Sequence, residues 1–150
     1  MPTVCCDNQP DLRVWLCDRI GLTATDDIRL VGSVEGSTIK GVVGFDGYNG
    51  ASIQMHVAGD PGWLTRELLR ACFEYAFNVC KVNMILGMVP SGNVDALRFN
   101  AHLGFNTGFV LDGAHPDGAL VLMTMRRGEC RFISQNRAKE IGRASCRERV

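Results

Sequence analysis

The stretch Pro90-Ser91-Gly92-Asn93-Val94-Asp95-Ala96-Leu97-Arg98-Phe99-Asn100-Ala101-His102-Leu103-Gly104-Phe105 decides how this chain is read. Pro90 to Gly92 breaks whatever precedes it. Asn93 is a strong helix cap, since its side chain can take an otherwise unpaired amide of the first turn. Val94 to Leu103 then runs as one helix. Gly104 stops it in a residue that tolerates the left-handed backbone, and Phe105 opens an extended segment. The segment before the break, Val82 to Val89, is a compact apolar strand. Strand, helix and strand in that order make a layered α/β unit.

Upstream of that unit lies a second helix. Asp60-Pro61 reads as its start, an acidic cap followed by proline at the first helical position. Leu64, Leu68, Cys72, Tyr75 and Val79 form its stripe, widened by Leu69, Phe73, Ala76 and Phe77, so it should be largely buried. Further upstream the period changes from helical to alternating. Ala51–Ala58 places Ile53, Met55 and Val57 on one face and Gln54 and His56 on the other. Ile28–Val34 and Thr38–Phe45 are β-rich runs, separated by Glu35-Gly36-Ser37 and followed by Asp46-Gly47-Tyr48-Asn49-Gly50. Such short turns predict an antiparallel meander. A first helix is capped by Asp7 or Asn8, has Pro10 near its start and ends at Gly21, with Leu12, Trp15, Leu16 and Ile20 on one face. Downstream, a strand from Phe105 to about Val110, a polar loop from Asp112 to Gly118 and an apolar strand from Ala119 to Met125 complete the chain's body. The expected fold is an α/β sandwich with a mixed central sheet, an antiparallel N-terminal meander and helices on both faces.

Composition bounds the function. The chain has 150 residues, 46% of them hydrophobic, with 16 basic and 16 acidic side chains. That suits one domain with a real core. No apolar run approaches the roughly 18–20 residues that span a membrane. Met1 to Asp7 carries no basic residue, unlike a signal peptide. The 7 cysteines are odd in number, irregular in spacing and without metal-ligand spacing. Cys72 and Cys80 fall on the apolar side of a helical segment and read as buried thiols acting as small hydrophobes, and the expected location is the cytoplasm. The expected domain is 1–133. Residues 134–150 read as a disordered tail, and Glu140 to Val150 resembles the translation of a sequencing adapter. That tail carries five bases and two acids. With it set aside, 11 basic residues face 14 acidic ones, so no basic surface for nucleic acid is expected.

Two sites carry chemistry. At the junction His56-Val57-Ala58-Gly59-Asp60-Pro61-Gly62-Trp63-Leu64-Thr65-Arg66, a helix start offers free amides, and glycines let the backbone approach a diphosphate. His56 suits a general base, because an imidazole titrates near neutrality. A satisfied structural histidine is the equal alternative. His102 falls on a polar helix face and His115 in the polar loop.

The second site is the opening stretch itself. Asn93, Ala96, Leu103, Gly104 and Phe105 resemble, in register, the C-terminal signature of the GNAT superfamily of N-acetyltransferases. Asp117 to Met125, with Glu129-Cys130-Arg131-Phe132, is similar to the end of the ribosomal-protein N-terminal-acetyltransferase branch. Short GNAT-like proteins of tailed bacteriophages are similar as well. The resemblance implies transfer of an acetyl group from acetyl-coenzyme A to an amine acceptor, in a monomer or homodimer, with no metal. His56 would be catalytic. Val57, Ala58, Gly59, Gly62, Trp63, Arg66 and Asn93 would bind the cofactor, Asn93 also being a plain cap. Two positions depart from the family's pattern. The loop Gly59-Asp60-Pro61-Gly62 is short and carries an acid, and Asn100 stands where a tyrosine acid is common. The alternative reading is a GNAT-like binding or virion-associated module without turnover.

Overall fold

The computed structural model describes residues Met1–Ile133; the tail expected from residue 134 onward lies outside them. Seven strands form one sheet. In chain order they are β1 (Thr3–Cys5), β2 (Arg29–Glu35), β3 (Thr38–Asp46), β4 (Ser52–Gly59), β5 (Met84–Pro90), β6 (Asn106–His115) and β7 (Gly118–Arg126). Across the sheet they run β1-β2-β3-β4-β5-β7-β6. All neighbours are antiparallel except β4 and β5, which are parallel. That single parallel pair is the consequence of the helical crossover between them. The expected mixed sheet, meander and two covered faces are all present.

Among the described residues three α-helices flank the sheet: α1 (Gln9–Ile20), α2 (Arg66–Glu74) and α3 (Val94–Leu103). Alternation along the strands sorts the two cores. Val42 faces Leu12 and Leu16 of α1, together with Ile28 and Leu30. Val43 and Phe45 face the other way, into the larger core with Leu68, Cys72 and Phe73 of α2 and Leu103 of α3. Ile53 and Met55 of β4 belong to that larger core too. α1 packs on β2, β3 and β4.

Local rules place the helix ends. Asn93 caps α3 by accepting from the Ala96 amide at 3.2 Å, and Gly104 closes it at φ +115°. Gly21 ends α1 at φ +65°. Asn8 precedes α1, yet its side chain donates to Asp11 and caps no amide.

Three expectations need correction, and one strand was not expected. The second helix begins at Arg66, with Thr65 as its cap, and not at Pro61. Asp60 is held instead by Arg19 of α1, so Leu64 stands outside the helix and is 36% exposed. The same helix continues from Tyr75 to Val79 as a π turn, a wider coil than the α pattern assumed. Asp112 to Gly118 is no loop: β6 runs to His115, and a tight turn at Pro116-Asp117 leads straight into β7. Finally, Thr3–Cys5 pairs with Gly32–Val34 as an edge strand too short to show a period.

Candidate active site

β4 and β5 pair only over Ser52–Gln54 and Met84–Leu86. Beyond that they part, while each keeps its other partner: β4 stays on β3 out to Gly59, and β5 stays on β7 out to Pro90. The backbone edges of Met55–Gly59 and Gly87–Pro90 therefore face each other across a gap. Hydrogen-bonding groups on such edges need partners, and a strand edge is a ready template for an extended ligand. The gap opens into a cleft of about 740 Å³ lined by His56, Val57, Ala58, Gly59, Trp63 and Asn93. α1 contributes Arg19 to it, β5 Gly87 and Met88, and α3 Asn100.

His56 points to the α1 face of β4, opposite Ile53 and Met55. Its Nε2 lies 2.8 Å from Oδ1 of Asp46, the last residue of β3. The two are diagonal neighbours, since His56 opposes Gly44 and Asp46 opposes Gln54. Both side chains are nearly enclosed, 13% and 10% exposed. A carboxylate accepting from Nε2–H fixes the tautomer and leaves the Nδ1 lone pair for other work. Asp46 reads in the sequence as a turn residue. Its role comes from cross-strand register, which the sequence does not display.

The junction after β4 is built differently from expectation. Gly59 lines the cleft with its backbone, and the side where it lacks a Cβ is occupied. A Cβ there would meet the Trp63 indole at 2.3 Å, and one at Gly41 would meet the same ring at 2.3 Å. Gly41 and Gly59 are directly opposed on β3 and β4, and Ser33 opposes Gly41 on β2. The Ser33 hydroxyl donates to the Trp63 carbonyl. A row of three small residues across three strands thus seats the indole, which also meets Phe99 of α3 at 6.1 Å between ring centres. The sequence signal was present: a glycine inside a strand often marks a close approach. Gly59→Ala should cost about 1–3 kcal/mol, the usual range for overpacking. Urea unfolding checks it, and in a Trp63→Ala background the added cost should vanish.

Arg66 and Gly62 do not line the cleft. Arg66 opens α2, and Thr65 accepts from the Leu68 amide, leaving the Arg66 and Glu67 amides without partners inside the helix. Gly62 takes φ +85° in the turn before it, a conformation that favours glycine. The acid in this loop is neutralised: the Arg19 guanidinium, bonded to Asp60, holds its carboxyl below the usual carboxylate range. Asn93 lines the cleft while its Oδ1 caps α3. His115 lines the cleft as well, its Nδ1 accepting from the Asp117 amide at 3.2 Å. His102 is exposed.

Burial pushes the Cys72 and Cys130 thiols up, which disfavours the thiolate a nucleophile needs. Among the described residues no His, Cys, Asp and Glu side chains gather in a group able to hold a metal, and no helix is long and apolar enough to cross a membrane.

Solved structures share this architecture. A single-residue variant of spermidine N-acetyltransferase from Vibrio cholerae superposes with a TM-score of 0.70 at 14% identity, over 90% of this chain and 98% of that one. The spermidine N-acetyltransferase of the same organism in complex with coenzyme A and spermine gives a TM-score of 0.68 at 14% identity, over 85% and 96%. The fold is the GNAT fold. Neither a protein-family model nor a curated protein matches the chain. In this chain the parted strands β4 and β5 set the position of the cleft.

Proposed function

We propose that this chain transfers an acetyl group from acetyl-coenzyme A to an amine, with the cofactor held between β4 and β5 and His56 as the general base. The observation that carries the reading is the parting of β4 from β5 beside the enclosed His56–Asp46 pair. The residues fit the cofactor's chemistry. The free backbone edge at Val57, Ala58 and Gly59 suits the amide-bearing pantetheine arm. The Arg66 and Glu67 amides and the Arg66 side chain suit the diphosphate, and the Gly62 turn brings the chain to them. Trp63 supplies an apolar wall, and Asn93 has its amide donors left after capping.

Acetyl-coenzyme A supplies a thioester carbonyl ready for attack. A neutral amine attacks that carbon, so the C–N bond forms as the C–S bond breaks. The Nδ1 atom of His56 takes the proton the amine loses. Asp46 holds the ring and stabilises the imidazolium that results. An N–H on the β4 edge takes the carbonyl oxygen. Asn100 cannot lend a proton, so the departing sulfur takes one from water. The solved neighbours act on polyamines, as their names state, and one was captured with coenzyme A. The likeness of Asp117–Met125 and Glu129–Phe132 to the ribosomal-protein branch, and of roughly Gly41–Ile133 to short phage proteins, supports a cytoplasmic amine-acetylating enzyme.

Acetyl-coenzyme A at about 100 times its dissociation constant should add about 2.7 kcal/mol of stability. A melting curve with and without the cofactor reads this directly. An unchanged melting temperature at millimolar cofactor would remove the reading.

A further inference from the structure

α1 packs on β2, β3 and β4, and on the same face of β5, β7 and β6 the described residues leave large apolar side chains exposed. There, register lines up two apolar rows across three strands. Met88, Leu122 and Phe109 form one, and Pro90, Leu120 and Leu111 the other. Met88 is 46% exposed, Phe109 70% and Leu111 42%. None of the six belongs to either core, whereas their strand neighbours Val89, Val121 and Met123 are buried in the larger one. Neither row contains an Asp or Glu.

The patch is continuous with the proposed active site. Met88, Pro90 and Leu120 line the same cleft as His56. We infer that this face binds the acceptor, and that the acceptor is a primary amine carried on an apolar body and not a polycation. The inference rests on the proposed acetyl transfer and names its substrate class. Adjacent strands lie about 4.8 Å apart, so three of them span roughly 10 Å, enough for an aryl group or a short alkyl chain. A polyamine needs carboxylates along its length, and these rows offer methyl, methylene and ring surface. An amine on an apolar stem laid across Phe109 and Leu122 would reach past Met88 into the cleft. There His56 can take its proton.

The test follows the Met88 methyl signal by NMR in the full chain, with and without coenzyme A. The probes are 4-phenylbutylamine, a tetrapeptide of leucine and phenylalanine with a free N-terminus, and spermine. The expected result is a saturable Met88 shift with an apolar probe, at least about tenfold tighter than with spermine. The tighter of the two apolar probes then shows whether the acceptor is a small molecule or a peptide end. Phe109→Asp, a change at an exposed position, should weaken that binding about tenfold or more while the melting temperature holds. Spermine binding as tightly as either apolar probe would overturn the inference. So would a Met88 signal that neither apolar probe moves. So would a Phe109→Asp variant that splits a dimer and leaves the amine titration unchanged, which would make the face a subunit interface. Because the Met88 shift is read without cofactor too, failure to bind coenzyme A would count against acetyl transfer and not against the apolar face.

Discussion

His56→Ala should lower turnover about 10²- to 10⁴-fold with any amine the wild-type chain acetylates, the usual loss when a general base is removed. Affinity for acetyl-coenzyme A should barely move, because in the proposed reaction the ring takes the proton and does not grip the cofactor. Asp46→Asn separates the two members of the pair. The amide can occupy the carboxylate's place near Nε2, but it cannot stabilise an imidazolium. The expected result is a fall in kcat with KM for the cofactor unchanged and the melting temperature close to wild type. Release of free coenzyme A thiol reads both variants, after subtraction of the protein's own 7 cysteines. If folded His56→Ala keeps wild-type turnover, the histidine is structural and the base lies elsewhere. If Asp46→Asn loses stability and activity together, the pair is a strut between β3 and β4.

How much of this was legible depended on whether the deciding interaction was local. α3 could be read to the residue, because Asn93 bonds the Ala96 amide within one turn and Gly104 needs no partner beyond its own helix. The meander could be read because its turns are short and rich in glycine and asparagine. The start of α2 could not. Asp60-Pro61 satisfies every local rule for a helix start, yet Asp60 bonds Arg19, 41 residues earlier. Trp63 is drawn onto the Gly41–Gly59 seat, and the helix waits for Thr65. Tertiary contacts outweighed propensity there. The extension of β6 beyond Val110 was missed for a related reason. Every residue of β6 up to Ala114 is exposed, so no burial alternation marks it as a strand.

The candidate site shows the same division. His56 could be named from its chemistry and its place opposite Ile53, Met55 and Val57. Asp46 could not, because a diagonal contact depends on register and register is fixed by the β3–β4 turn. Gly59 reads as a point of close approach, and its backbone does line the cleft. What the sequence does not display is that the side missing a Cβ is also filled, by the chain's own indole.

The central claim is that acetyl-coenzyme A occupies the gap between β4 and β5, and Gly87 is the residue that tests it. Gly87 sits on the parted edge of β5 and lines the cleft. A Cβ built there would come within 4 Å only of Asn100 Nδ2, at 3.8 Å, so the first atom of a side chain is tolerated. A phenyl ring beyond it has the cleft to occupy, and the cofactor needs the same space. The measurement is calorimetric titration of acetyl-coenzyme A into the wild-type chain and into Gly87→Phe, each shown to be folded by its cooperative melting. The account predicts one-to-one binding to the wild type and a loss of at least about 100-fold in Gly87→Phe. Equal affinity in the two proteins, or no heat of binding in the wild type, would contradict it.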